Sequence, residues 1–213
     1  MIMAGKVRLQ NGRIVSKASH LLSPDEFIIL ENDLYVSRGA YKLLPVIEKY
    51  APDLSTKITL DVGASTGGFT DLMLQRNAEK VYTIDSGTNQ LHPKIRNNPK
   101  VIYYEKTNAR YLSQEIVSEK VDLITMDVSF ISVTKILPAI NCFLKNDGMA
   151  FILVKPQFET EKCNVSKGGV VKDAEIIKDC IRKVANFAEN NLKWKCIDTI
   201  ASPLKGPKGN QEY

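Results

Sequence analysis

Apolar and polar positions along the chain alternate between short β-branched runs and helical stripes. Ile58-Thr-Leu-Asp61 is an apolar run that ends in an acid, passes into a loop with glycines at 63, 67 and 68, and continues as a helical stretch from Thr70 to Gln75. Val81-Tyr-Thr-Ile-Asp85 and Val101-Ile-Tyr-Tyr read as the next two strands, and Val121 to Asp127 as a fourth that again ends in an acid. Helical segments around Ile131 to Leu144 lead to a turn at Asp147-Gly148, then to a fifth strand from Met149 that delivers Lys155. Asp173 caps a helix whose stripe is Ile177, Ile181, Val184 and Ala188, at helical spacing, and Trp194 to Ile200 reads as a sixth strand. Strands alternating with helices predict an α/β fold with a mostly parallel, doubly wound sheet covered on both faces. Upstream, Lys6 to Leu9 and Ile14 to Ser16 flank Asn11-Gly12, the pattern of a two-residue hairpin. Ser37 reads as the N-cap of a helix carrying Lys42, which Pro45 is expected to kink or break.

The loop after Ile58 carries the first chemistry. Glycines let the backbone turn sharply and let a ligand approach it, and free amides at the helix start favour an electron-rich group. Gly63-Ala-Ser-Thr-Gly67-Gly68 does not supply the G-x-G-x-x-G of a dinucleotide site, and a carboxylate at the mouth of the loop repels a pyrophosphate. Asp61 suits a cation instead. S-adenosylmethionine has a positive sulfonium and an α-ammonium beside an adenosine, and Asp85, 24 residues after Asp61, stands where a ribose-binding acid is expected. The candidate cofactor set is therefore Asp61, Gly63, Ala64, Ser65, Gly67, Gly68, Phe69, Thr70, Asp85 and Asp127, with Asn108 placed to meet an adenine edge. Either acid alone is equally well read as a capping or buried strand-end residue.

A chain of 213 residues suffices for one α/β domain and a small appendage, and 44% apolar content can fill its core. Four cysteines without a C-x-x-C pair suggest neither a disulfide framework nor a zinc site. No apolar run approaches the roughly 20 residues that cross a bilayer, and the start lacks the apolar core of a signal peptide. A cytoplasmic location is expected. The net charge of +5 fits an anionic partner. Lys6, Arg8, Arg13 and Lys17 all precede the first acid, Asp25. They read either as a solvated face or, joined by Arg38, as an RNA-contacting arm.

Open parallel sheets bind ligands beyond the carboxyl ends of their strands, so Asp61, Asp85, Asp127 and Lys155 should face one crevice. Six stretches in order, Ser37-Arg-Gly-Ala-Tyr-Lys-Leu, Asp61-Val-Gly-Ala-Ser-Thr-Gly-Gly-Phe-Thr, Asp127-Val-Ser-Phe-Ile-Ser, Lys155-Pro-Gln-Phe-Glu, Lys167-Gly-Gly-Val-Val and Gly206-Pro-Lys-Gly-Asn-Gln-Glu, make the chain resemble the TlyA family. Residues 3 to 17 resemble the second half of the S-four-like RNA-binding domain that opens members of that family. The resemblance implies two parts: a partial S-four-like segment over 1–33 and, over 34–213, an FtsJ-like, Rossmann-like methyltransferase domain. Relatives add a final strand after the Gly-Asn-x-Glu stretch. It further implies methylation of a ribose 2′-hydroxyl of cytidine in ribosomal RNA, with S-adenosylmethionine as donor.

The family's Lys-Asp-Lys-Glu set falls on Lys42, Asp127, Lys155 and Glu212. In that reading Lys155 is the base, Asp127 orients it and the methyl donor, and Glu212 holds the lysine or the hydroxyl in line. No metal is needed, because the electrophile arrives with the cofactor. Two other readings remain at this point: an RNA- or ribosome-binding protein without turnover, and the membrane-active hemolysin that the family's common label suggests.

Overall fold

The computed structural model describes residues 7–9, 14–15, 17, 19–21, 28–30, 34–206 and 208–213. The chain divides into two compact units, 1–34 and 35–213.

In the first unit, strand β1 (Val7–Leu9) pairs antiparallel with β2 (Ile28–Leu30), with Val7 opposite Leu30 and Leu9 opposite Ile28. The expected hairpin partner, Ile14 to Ser16, is not that strand. Ile14 makes only an isolated bridge, while Val15 is buried against Leu9. Val15, after the predicted turn, thus supplies apolar packing, and the ladder is completed by an apolar run further along. Lys6, Asn11, Gly12, Arg13 and the side chain of Arg8 lie outside the described residues. Lys17 is exposed.

The second unit is built on a five-stranded sheet ordered β5-β4-β3-β6-β7, parallel throughout. Its strands are β3 (Ile58–Val62), β4 (Lys80–Ile84), β5 (Val101–Tyr104), β6 (Val121–Met126) and β7 (Leu144–Ile152). Helix α1 (Ala40–Tyr50) and α2 (Gly68–Gln75) cover one face; α4 (Leu137–Asn141) and α6 (Ala174–Leu192) pack with the core of the other. Short helices α3 (Pro93–Arg96) and α5 (Pro156–Glu159) complete the set. Because both faces are covered, β3, β4 and β6 are buried almost without interruption, as central parallel strands are.

Three expectations are corrected here. Pro45 neither breaks nor ends α1, which runs through it. The lost hydrogen bond and ring clash cost about 3 kcal/mol, and burial of Leu43 and Ile47 on the same helix, at roughly 2 kcal/mol each, offsets that. Asp147-Gly148 is not a turn before the strand but lies within β7, as an irregularity. Val121 pairs with Leu144 and Leu123 with Met149, so extra residues bulge from β7 at this point. Trp194 to Ile200 is not a strand. Lys193, with φ +64°, ends α6 in a left-handed cap, and the segment is held by side chains instead: Trp194 Nε1 donates to Asn141 Oδ1 at 2.7 Å, and Lys49 and Tyr50 donate to Asp198. A cavity of about 900 Å³ lies along this segment, β7 and α6. At its end Tyr213 and Val154 exchange both backbone hydrogen bonds, at 2.7 and 3.0 Å. Among the described residues, no helix is long and apolar enough to cross a membrane.

Candidate active site

The carboxyl ends of β3, β4 and β6 carry the three acids, yet each is used differently. Asp61 at the end of β3 is fully buried. Thr70 Oγ1 donates to its Oδ2 at 2.6 Å and Thr125 Oγ1 to its Oδ1 at 3.0 Å. Burial pushes its carboxyl up to about 7, against the pull of the two hydroxyls. Its side chain therefore faces the interior and ties α2 to β6, rather than offering a carboxylate to a cation at the loop mouth.

Asp85, just past β4, is half-buried at the rim and accepts from Ser65 N and Gly87 N, both at 2.7 Å. These two amides fix its orientation without exhausting its lone pairs. Thr83 Oγ1, buried and without a hydrogen-bond partner among the described residues, lines the same small cavity as Asp85, Ala64 and Ser65. The loop itself needs its glycines in distinct ways. Gly63 has φ +83°, and a Cβ there would lie 2.5 Å from the Asp127 carbonyl oxygen, so the loop backbone abuts the end of β6. Gly68 serves packing: a Cβ would meet Ser37 Oγ at 2.4 Å and Ala40 N at 2.9 Å, so it lets α2 approach the start of α1. Ser37 Oγ itself accepts from Gly39 N and does not cap α1, whose N-cap is Gly39. Phe69 and Ala64 are buried in the body of the unit, and Ser65 is exposed in the left-handed region. Gly67, at φ +92°, turns the chain into α2 against Leu91 and Ile95. Asn108 follows Thr107, whose N donates to Asp85 O at 2.9 Å; its own side chain accepts from Arg110 N and caps a short helical turn.

Asp127, one residue past β6, has the opposite surroundings from Asp61. Lys155 Nζ lies 2.5 Å from Asp127 Oδ1, and Lys42 Nζ lies 3.5 Å from Asp127 Oδ2. Lys42 Nζ also donates to Glu212 Oε2 at 2.7 Å. The four charged side chains come from α1, the end of β6, the N-cap of α5 and the last residues of the chain, and they form one continuous line: Lys155, Asp127, Lys42, Glu212. Lys155 and Glu212 are buried; Asp127 and Lys42 retain 20% and 15% side-chain exposure, so the line reaches solvent at its middle. Glu212 Oε1 is buried with no hydrogen-bond partner among the described residues, against Gly206. Alternating charges of this kind neutralise one another where a lone buried charge would cost several kcal/mol.

Two residues escaped sequence reasoning. Ser129 Oγ accepts from Lys155 Nζ at 2.9 Å, giving the lysine a second fixed partner. Phe130 has φ +65° and is 90% exposed, its ring 5.2 Å from that of Phe158. A bulky residue in the left-handed region is strained, and nothing in residue type alone announces it. Arg38 is exposed beside α1.

A parallel doubly wound sheet with a glycine loop, a rim acid held by amides and a lysine–carboxylate line at the adjacent strand end defines a Rossmann-like group-transfer enzyme of the methyltransferase class. Residues 35–213 match the model of the FtsJ-like methyltransferases, and the chain belongs to that family. It is 40% identical over 214 residues to hemolysin A of Brachyspira hyodysenteriae, spanning all of this chain and 89% of that protein. It is also 40% identical over 215 residues to the 16S/23S rRNA (cytidine-2′-O)-methyltransferase TlyA of Mycobacterium tuberculosis, spanning all of this chain and 80% of that one. A solved structure from Streptococcus thermophilus, described as a hemolysin, superposes with a TM-score of 0.83 at 36% identity, covering 99% of this chain and 78% of that one.

S-adenosylmethionine is the cofactor of such an enzyme, and the site fits it. Asp85, fixed at the rim by two amides with lone pairs to spare, fits a ribose diol, and the loop backbone at Gly63 abuts the Asp127 carbonyl.

Proposed function

We propose that the protein methylates a ribose 2′-hydroxyl, on cytidine, in ribosomal RNA. The observation that carries this reading is the line Lys155–Asp127–Lys42–Glu212, a set of groups able to align a hydroxyl and take its proton without a metal. The names of relatives at 40% identity support the RNA substrate and the cytidine.

When bound, the cofactor supplies a methyl group already activated by the sulfonium. The protein's own residues then have two tasks. The first is alignment, which holds the hydroxyl in line with the methyl group and can remove a large entropic part of the barrier. Lys42 and Glu212 serve it, fixed to each other at 2.7 Å at the edge of the line. The second task is proton removal. The amine form of Lys155, oriented by Asp127 and Ser129, accepts the hydroxyl proton as the oxygen–carbon bond forms and the carbon–sulfur bond breaks. Lys155 then carries the proton as an ammonium beside Asp127, and the ribose oxygen carries the methyl group. The exposed ring of Phe130, one residue from Ser129, suits stacking by a splayed-out base. The partner is then ribosomal RNA or a ribosomal subunit, and the location is the cytoplasm. Residues 1–33 form the partial S-four-like segment of this reading, with Lys6, Arg8, Arg13, Lys17 and Arg38 as phosphate contacts.

The test is to incubate the protein and methyl-labelled S-adenosylmethionine with ribosomal subunits from a strain lacking the gene, then map 2′-O-methyl positions. Label at a cytidine ribose supports the reading. Binding of subunits with no label in the RNA overturns it in favour of a protein that binds without turnover.

A further inference from the structure

Two of the stretches singled out by the sequence, Lys167-Gly-Gly-Val-Val and Gly206-Pro-Lys-Gly-Asn-Gln-Glu, play no part in the charge line except through Glu212. In the structure they are brought together. The first closes on itself: Gly169 N donates to Ser166 O at 2.7 Å, and Ser166 N to Val170 O at 3.1 Å. The second doubles back, with Gly206 N donating to Asn210 O and Gly209 N to Gly206 O, both at 2.8 Å. Each has a glycine in the left-handed region, Gly169 at φ +79° and Gly209 at φ +89°. The side chain of Asn210, only 4% exposed, clips one to the other: its Oδ1 accepts from Val171 N at 2.9 Å and its Nδ2 donates to Gly169 O at 2.8 Å. Lys208 lies over Gly169, where any Cβ would sit 2.8 Å from its Nζ.

The clip therefore gathers Lys167, Lys172, Lys205 and Lys208, all exposed and none in an ion pair among the described residues. The acids nearest in the chain are committed elsewhere. Asp173 caps α6 through Glu175 N and Ile176 N, and Glu212 is buried against Lys42. The same turn wraps the reacting line, because Gly206 packs on the Glu212 carboxylate, where a Cβ would lie 2.5 Å from Oε1.

We propose that these two clipped turns are a phosphate-contacting surface that grips the RNA backbone next to the reacting ribose, within the catalytic unit and independent of residues 1–34. This rests on the RNA methyltransferase reading above. Unpaired ammonium groups on backbone-braced turns suit phosphate oxygens, and glycine leaves room for a backbone to come close. An anionic membrane is the less suitable partner, because the gathered side chains are lysine, glycine and asparagine, with no exposed apolar face to insert.

The experiment uses the full chain with Lys167→Glu and Lys208→Glu combined, a labelled single-stranded RNA oligonucleotide and, separately, phosphatidylglycerol vesicles. RNA affinity should fall at least roughly tenfold near 0.1 M salt, and the slope of log K against log salt should shrink by about 2, one per lysine. The turnover rate at saturating RNA and the affinity for S-adenosylmethionine should stay as in the parent. The gentler Lys167→Gln and Lys208→Gln pair should move the same quantities in the same direction with an unchanged melting temperature. An unchanged slope and affinity in a variant whose parent binds and methylates RNA would overturn this surface alone, as would loss of vesicle binding with RNA binding intact. A parent protein that neither binds nor methylates RNA would instead overturn the reading on which the surface rests.

Discussion

Asp61 and Asp127 end neighbouring parallel strands and look alike in the sequence, each an acid that follows a β-branched run. In the folded chain they are opposites. Asp61 has two hydroxyl donors, no cation among the described residues and no exposure, and burial pushes its carboxyl up to about 7. Asp127 stands between two ammonium groups and opens to solvent. The difference shows that a strand-end acid takes its role from what the neighbouring elements bring to it: hydroxyls from α2 and β6 in one case, lysines from α1 and the α5 cap in the other. One carboxylate holds the scaffold together, and the other organises reacting groups.

That contrast can be broken at several points. Asp127→Ala leaves Lys42 and Lys155 without the charge between them, so methyl transfer should fall about 1,000-fold, within the range that positioned proton-transfer groups supply. Retention of a tenth of the parental rate in a filter-binding assay would place Asp127 outside the chemistry. Asp61→Asn should act on stability instead. Because burial raises the folded-state value above the ordinary carboxylate one, the folded chain binds the extra proton between about pH 4 and pH 7. Stability from this group is thus present at low pH and lost as pH rises through that window, by at most roughly 4 kcal/mol. Denaturant unfolding of both proteins from pH 4 to 8 should show the parent losing ground relative to Asp61→Asn; parallel curves would mean that Asp61 is not the buried titrating group. Asp85→Ala should weaken cofactor binding by about tenfold, roughly the value of one hydrogen bond to a charged group. By calorimetry the loss should appear in affinity for S-adenosylmethionine, with the rate at saturating cofactor little changed.

Much of the catalytic unit is legible in the sequence because buried parallel strands are continuous β-branched runs, and those of β3 to β6 stand out between helical stripes. That Asp127 and Lys155 meet follows from placing them at strand ends of such a sheet, whereas Lys42 and Glu212 are implied only by the resemblance to the TlyA family. The direction of Asp61 does not follow, since β3 is buried on both faces and its period gives no inside or outside. Trp194 to Ile200 has the composition of a strand, but a strand needs a ladder partner, which composition does not encode. Pro45 is tolerated in α1 because tertiary packing outweighs local propensity. Ser129 and Phe130 were hidden for another reason: Ser129 owes its role to the approach of Lys155 from the far end of β7, and Phe130 owes its exposure to a left-handed backbone angle after β6.

The most direct measurement is single-turnover methyl transfer by Lys155→Ala to ribosomal subunits at saturating S-adenosylmethionine, with cofactor affinity measured alongside. The expected result is a chemical step slowed by a factor of roughly 100 to 10,000, with cofactor affinity little changed. Transfer within about threefold of the parental rate, on the same scale, would contradict the assignment of the lysine–carboxylate line as the reacting centre.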